Sequence, residues 1–259
     1  MSSAICYFSG SGNSKTVAGD LKLLLDYEKV LTIKEVEDEP ALLEGVTTLG
    51  LVYPIYFSSP PAKIATFILQ TLQNLTLDLE YLFVVHTHGG PPLWGYALSD
   101  LLLSEAGYAS SFNGGLKMVD TYVPLFKIPS LEKQQKAHKQ TGEKIILLAN
   151  ALKKQEFKVA NRFPFSRLLL NNYKSSLKKR ATKDQNFNIT VACDGCAICE
   201  KVCPVGNIEM VEGRPHYLGK CEQCLGCYHH CPQRAIRFKK RPFRGYSWYT
   251  PPSTFLPKG

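Results

Sequence analysis

The sequence has no apolar run approaching the roughly 18 residues needed to cross a bilayer. Its first residues, Met1-Ser-Ser-Ala-Ile-Cys6, put no basic segment ahead of an apolar one. Neither a membrane span nor a secretory leader is therefore expected. Cysteine is scarce outside one stretch: of nine cysteines, Cys6 alone lies outside residues 193–231. A secreted disulfide scaffold would spread them more widely, so a reducing cytoplasm is the expected location. Complete nucleotide loops are missing too. Ser14 precedes Lys15-Thr16 where a Walker A loop needs glycine, and after Gly10 and Gly12 the dinucleotide fingerprint would need glycine where Lys15 stands. There is no second phosphate loop to mark a nicotinamide nucleotide site, and no constellation suggests a hydrolase or transferase. Acidic residues are few, 22 against 31 basic ones. That shortage is local: residues 1–152 carry a net −4 and residues 153–186 a net +8. Basicity belongs to one connecting segment, and no nucleic-acid partner is expected from it.

What the sequence does have is a doubled cysteine pattern. Cys193, Cys196, Cys199 and Cys203 lead into Pro204, and Cys221, Cys224, Cys227 and Cys231 lead into Pro232. Each copy reads C-x2-C-x2-C-x3-C-P. The offset of 28 residues also matches Ile208 with Ile236 and Met210 with Phe238, which implies two similar half-units. Neither is long enough to bury a core alone, so bound metal must supply much of the folding energy. Disulfides would explain paired cysteines in a secreted protein, and structural zinc would explain CxxC pairs in a cytosolic one. Zinc sites, however, use two separated pairs rather than a triple with a fourth ligand before proline. Over residues 187–240 the spacing resembles the bacterial-type ferredoxins that carry two [4Fe-4S] clusters. The resemblance implies one cluster on Cys193, Cys196, Cys199 and Cys231, and the other on Cys221, Cys224, Cys227 and Cys203. His229 and His230 are expected to shape hydrogen bonding near a cluster rather than to bind iron.

Residues 1–152 alternate strand and helix patterns. Strands are predicted at Ser3–Phe8, Val30–Val36, Thr47–Val52, Tyr81–Val85 and Gly115–Val119. Helices are predicted at Lys15–Tyr27, Ala62–Leu72, Gly95–Ala106 and Leu131–Lys154. This is the signature of an α/β doubly wound parallel sheet of five strands. Ligands of such sheets bind beyond the carboxyl ends of the strands. Three loops lie there. Ser9-Gly10-Ser11-Gly12-Asn13-Ser14 offers hydroxyls, amides and a helix N-terminus to a phosphate. Pro54-Ile55-Tyr56-Phe57 offers aromatics to a planar ring. Thr87-His88-Gly89-Gly90 lets backbone amides reach the ring's polar edge. Each loop alone has a plain structural explanation as a cap, a helix start or a turn. Their coincidence at strand ends points to a ligand.

The first loop has the S/T-x-S/T-G-x-S/T form of flavodoxins, and residues 1–152 resemble a flavodoxin domain. The whole chain resembles fused flavodoxin–ferredoxin proteins. That resemblance implies FMN, its phosphate held by Ser9, Ser11, Gly12, Asn13 and Ser14. Pro54, Ile55, Tyr56 and Phe57 would flank the isoalloxazine on one side, and Thr87, His88, Gly89 and Gly90 on the other. Lys15 and the weak acidity depart from freely diffusing flavodoxins. His88 is read as a hydrogen-bonded loop residue and Cys6 as an inert core thiol.

The expected organisation is a flavodoxin-like domain (1–152), a basic linker (153–186), a small α+β ferredoxin-like two-cluster domain (187–240) and a Pro/aromatic tail (241–259). The linker carries Lys153, Lys154, Lys158, Arg162, Arg167, Lys174, Lys178, Lys179, Arg180 and Lys183, interrupted by Phe163, Phe165 and Leu168–Leu170. It is expected to pack as a helix across the first domain, with a docking face for an acidic redox partner as the alternative. The tail is read as either unordered or wrapped over a domain. The expected function is electron transfer between two [4Fe-4S] clusters and FMN, with a ferredoxin-type protein as donor or acceptor. An oxidoreductase reducing a substrate or redox partner follows. A non-enzymatic carrier serving a larger complex and an oxygen-labile redox sensor are the alternatives. The sequence names neither a small-molecule substrate nor an oligomeric state.

Overall fold

The structure, a computed structural model, describes residues 2–159, 165–177, 183–242 and 244–257. Five parallel strands form one sheet: β1 (Ser2–Tyr7), β2 (Lys29–Thr32), β3 (Val46–Pro54), β4 (Tyr81–His88) and β5 (Phe112–Lys117). Their order is β2-β1-β3-β4-β5, the flavodoxin-like doubly wound order. β3 and β4 are buried along nearly their whole length, as parallel strands covered on both faces must be. α1 (Asn13–Leu25) and α5 (Leu131–Lys153) cover one face. α4 (Gly95–Glu105) and α6 (Ser166–Leu177) cover the other.

Several elements differ from the predicted ones. β2 stops at Thr32, and Ile33–Asp38 forms a helix, α2. Thr32 and Glu35 make a reciprocal capping box, which outweighs the alternating pattern that predicted strand to Val36. The helix predicted from Ala62 is a single α turn, α3 (Ala62–Thr66), followed by a π turn at Phe67–Thr71 and a 3-10 turn at Leu72–Asn74. The Tyr108 hydroxyl donates to the Leu72 carbonyl at 3.0 Å and so satisfies part of this irregular end. β5 begins at Phe112, three residues earlier than predicted. α1 begins at Asn13, so Asn13 and Ser14 belong to its first turn rather than to the loop.

Residues 187–238 form a smaller α+β unit. β6 (Phe187–Ile189) pairs with β9 (Ile236–Phe238), and β7 (Ile208–Val211) with β8 (Arg214–Tyr217), both antiparallel. α7 (Ile198–Lys201) and α8 (Gly226–His230) are single turns. The 28-residue offset recurs in the backbone. Ala197 and Leu225 both have φ 59°, Gly195 and Gln223 have 76° and 53°, and Gly206 and Arg234 have 57° and 51°.

α6 lies across the sheet unit. Leu170 and Tyr173 join its core, the Tyr173 hydroxyl donates to the Pro60 carbonyl at 3.0 Å, and Lys174 pairs with Glu105. Arg162, Phe163, Lys178, Lys179 and Arg180 lie outside the described residues. The tail also wraps over the sheet unit. The Thr16 hydroxyl donates to the Pro252 carbonyl at 3.0 Å. The Asp20 carboxylate accepts from the Thr254 hydroxyl at 2.5 Å and from the Phe255 N–H at 2.8 Å. Among the described residues, no helix is long and apolar enough to cross a membrane.

Candidate functional site

The carboxyl ends of β1, β3, β4 and β5 open on one cleft of about 230 Å³, below the roughly 300–1,000 Å³ usual for small-molecule sites. All three predicted loops reach it. Ser9, Ser11, Asn13 and Ser14 line one end, Pro54, Ile55, Tyr56 and Phe57 one wall, and Thr87, His88, Gly89 and Gly90 another. Gly12 does not line it. With φ 106° it turns the chain into α1, and a Cβ there would lie 2.6 Å from Cγ of Pro251 in the tail.

The first end has unused donors. No side chain caps the start of α1, so its first N–H groups have no side-chain acceptor, and a helix start of this kind suits an anion. Ser11 Oγ accepts from the Thr121 hydroxyl at 3.1 Å and keeps its own proton to donate. Ser14 Oγ and Thr87 Oγ1 lie 2.8 Å apart, and two hydroxyls sharing one bond leave one O–H to spare. Asn13 is engaged at both ends. Its Nδ2–H donates to the Val119 carbonyl at 3.4 Å, and its Oδ1 accepts from the Tyr249 hydroxyl at 2.8 Å.

The walls are aromatic and backbone-rich. Phe57 (φ 49°) and Ser58 (φ 62°) are left-handed, a conformation that non-glycine residues keep only where the surroundings impose it. Here Tyr56 and Ser59 exchange N–H to carbonyl bonds of 2.9 and 3.1 Å across the turn. The Phe57 ring, 62% exposed, stands edge-on to Tyr122 at 5.0 Å. His88 Nδ1–H donates to the Gly90 carbonyl at 2.8 Å, and Nε2 accepts from the Tyr96 hydroxyl at 3.1 Å. Burial holds its pKa below the usual histidine range, so it braces the loop as a neutral ring. Deeper in β4, His86 is wholly buried, and burial lowers its pKa to about 3. Its Nε2–H donates to Asn113 Oδ1 at 3.0 Å.

Two parts of the cleft were not foreseen. Met118–Tyr122, after β5, form one side. Gly89 permits this approach, because a Cβ there would lie 2.6 Å from the Asp120 carboxyl group. The second part is Gln223, Cys224 and Leu225, a wall supplied by the cysteine-rich unit. A Cβ on Gly10 would collide with Cys224 Cβ and lie 2.8 Å from its carbonyl oxygen. One on Gly226 would lie 2.9 Å from the Gly10 carbonyl. The facing glycines bring the two backbones into direct contact. Tyr56 is half-buried at this junction, and its phenol is raised well above the ordinary range by burial, then by Cys224 and Glu222. The Glu222 carboxylate accepts from the N–H groups of Ala62 and Lys63 at 3.2 and 2.6 Å. Glycine in the first loop was visible in the sequence; what packs on it was not.

The eight cysteines of the repeat are free thiols that fall into two neighbourhoods. Burial, with Cys231 and Cys193 nearby, pushes the Cys199 thiol up to about 11. Burial, with Asp184 and Cys203 nearby, does the same for Cys221. Cys224 and Cys227 are raised by burial and by Cys203 and Cys221. Cys231 thus sits with the first triple and Cys203 with the second. Cys196 is exposed, its N–H donating to Asp194 at 3.2 Å. The N–H groups of Asn207, Ala235 and Gln223 donate to the sulfurs of Cys203, Cys231 and Cys221, each at 3.2 Å. The Tyr217 hydroxyl is buried with no oxygen or nitrogen partner and lies against the Cys227 sulfur. Such donors stabilise charge on sulfur. Among the described residues, no three His, Cys, Asp or Glu side chains converge closely enough to hold a single metal ion.

No protein-family model matches the chain. Over 58 residues it is 40% identical to a subunit of the ion-translocating oxidoreductase complex of Methanosarcina acetivorans, covering 22% of either protein. Over 49 residues it is 35% identical to a ferredoxin-like protein in nif region of Trichormus variabilis, covering 18% of this chain and 42% of that protein. The chain therefore spans less than half the length of these relatives. Among solved structures it is similar to a flavodoxin from the domain Archaea, with TM-score 0.40 and 15% identity over 58% of this chain and 99% of that one. The chain joins a flavodoxin-like sheet to a segment similar in sequence to ferredoxin-like proteins.

Proposed function

We propose that the protein is an electron-transfer iron–sulfur flavoprotein, in which two [4Fe-4S] clusters and one FMN serve a single relay. The observation that carries this reading is Cys224, a member of the second cysteine set that also forms a wall of the cleft. The residues fit both groups. Spare hydroxyl protons and an uncapped helix start suit a phosphate monoester, and the aromatic wall suits a planar ring. The Tyr217 hydroxyl against the Cys227 sulfur and the three N–H donors to sulfur suit charged, cluster-bound thiolates.

In this reading Ser9, Ser11, Ser14 and the start of α1 hold the phosphate, Gly12 shapes the turn, and Asn13 braces it. Pro54–Phe57 and Thr87–Gly90 flank the ring. Cys193, Cys196, Cys199 and Cys231 hold one cluster, and Cys221, Cys224, Cys227 and Cys203 the other. Clusters supply single electrons and FMN accepts one or two, a combination that joins a one-electron donor to a two-electron acceptor. The chain's own contribution is positional. Gly10 and Gly226 fix the separation of the two units, buried Leu225 keeps water from the junction, and neutral His88 holds the third loop. The domain division is 1–152, 153–186, 187–240 and 241–259. A cytoplasmic setting fits the confinement of cysteine to one metal-type stretch. A ferredoxin-type protein partner fits the redox-complex name of one relative.

Anaerobic purification tests this. About eight iron, about eight sulfide and one FMN per chain are expected from the ligand count. A reduced ferredoxin donor is expected to bleach the iron–sulfur absorption and then the flavin, at a rate independent of protein concentration. Stoichiometric zinc without sulfide, or FAD in place of FMN, overturns the reading.

A further inference from the structure

Tyr249, in the tail, is 2% exposed and bonded in two directions. Its hydroxyl donates to Asn13 Oδ1 at 2.8 Å and lies 3.1 Å from His138 Nε2. Its backbone N–H donates to His229 Nδ1 at 3.2 Å. His229 lies on α8, between Cys227 and Cys231, and its Nε2–H donates to the Thr121 carbonyl at 2.9 Å. Neighbouring contacts hold the same registry. The Tyr228 hydroxyl donates to the Ser247 carbonyl at 3.1 Å, and the Tyr228 ring stacks on Trp248 at 5.6 Å. Thr121 in turn donates its hydroxyl to Ser11. Two lines of hydrogen bonds therefore run from α8 to the phosphate loop: one through Tyr249 to Asn13, the other through Thr121 to Ser11.

We propose that Tyr249 is a positioning residue for the phosphate loop, set in place by α8, so that FMN affinity is coupled to iron–sulfur loading of the cysteine-rich unit. The proposal rests on the reading given above. α8 has five residues, far too few to be stable as an isolated helix. Its order depends on Cys227 and Cys231 being held. When they are released, the Tyr249 N–H loses its partner and Asn13 Oδ1 its donor. By linkage, FMN then favours cluster retention by the same factor.

FMN and riboflavin are titrated anaerobically by fluorescence quenching into cluster-loaded wild type and Tyr249→Phe. Of the two hydrogen bonds that this variant loses, the one to Asn13 braces the loop, and loss of one bond to a neutral group predicts an FMN Kd about fivefold higher. Riboflavin Kd, iron and sulfide should stay unchanged, because Asn13 braces the phosphate end alone. Thr254→Val loosens the tail at Asp20, away from the loop, and should lower Tm with FMN Kd unchanged. Wild type stripped of iron by an anaerobic chelator should bind FMN at least about fivefold more weakly than loaded protein. Stripping also loosens the Gln223–Leu225 wall of the cleft, so riboflavin should weaken too, but by a clearly smaller factor than FMN. This gap should shrink in Tyr249→Phe. Equal FMN Kd in wild type and Tyr249→Phe overturns the proposal, as does parallel weakening of both flavins or equal affinity of loaded and stripped protein. If loaded wild type binds neither flavin, the FMN reading itself has failed.

Discussion

The two units of this chain reach order by different routes. The sheet unit has an apolar layer on each face, with β3 and β4 closed between them. The cysteine-rich unit has strands of three or four residues and helices of four or five. Its buried cluster is completed by Val119, Val123 and Ile128 from the sheet unit and by Tyr249 from the tail. Elements this short are marginal alone. Hydrocarbon holds one unit; in the other, whatever joins the thiols must do much of that work. Loss of metal should therefore be a regional event, with its effects on the sheet unit confined to the contacts they share.

Removing iron should separate the two most sharply. Structural metal contributes on the order of 10 kcal/mol in small metal domains. Hydrogen exchange after anaerobic chelation should show residues 187–240 close to fully exchanging while β1, β3 and β4 stay protected. Simultaneous loss of protection in both would end the comparison. A smaller cut is Cys203→Ala. The crossed neighbourhoods predict that about four of about eight irons are lost, and that EPR of the reduced variant retains the set containing Cys231. Retention of the other set would mean that the fourth ligand is local.

Acid should act on the sheet unit through His86. Its folded pKa of about 3 lies below the ordinary value of 6.5, so the neutral ring is favoured by folding. The stability that follows is fully present above pH 6.5 and is lost as pH falls from 6.5 toward 3. Between pH 7 and pH 5 the loss is about 2 kcal/mol. Urea titrations of wild type and His86→Gln at both pH values should differ by that amount. The smallest effect is expected of Tyr173→Phe, which leaves the Pro60 carbonyl without its donor. It should cost about 1 kcal/mol of sheet-unit stability, with iron content unchanged.

Local chemistry was legible in the sequence, and long-range partnership was not. Loops 9–14, 54–57 and 87–90 do meet in one cleft, apart from Gly12, because strand ends and loop residue types are local features. Thr32-x-x-Glu35 was equally local, but the alternation around Val30 hid it. Setting β5 three residues late placed Met118 and Val119 within a strand, and so concealed the side of the cleft they form. Cys224 on Gly10 and Tyr249 on Asn13 have no local signature. A glycine shows that something comes close, never what.

The bond between Tyr249 and Asn13 spans 236 residues. A ribosome adds about 5–20 residues per second, so α1 precedes its brace by an interval on the order of tens of seconds. The Ser9–Ser14 end of the cleft is thus made well before the residue that braces it, 236 residues further on. A nascent chain halted just after residue 240 would already carry both cysteine sets and all three cleft loops, yet Asn13 would still await its hydrogen-bond donor. The position of the tail in the message, as much as its position in space, decides when the cleft becomes whole.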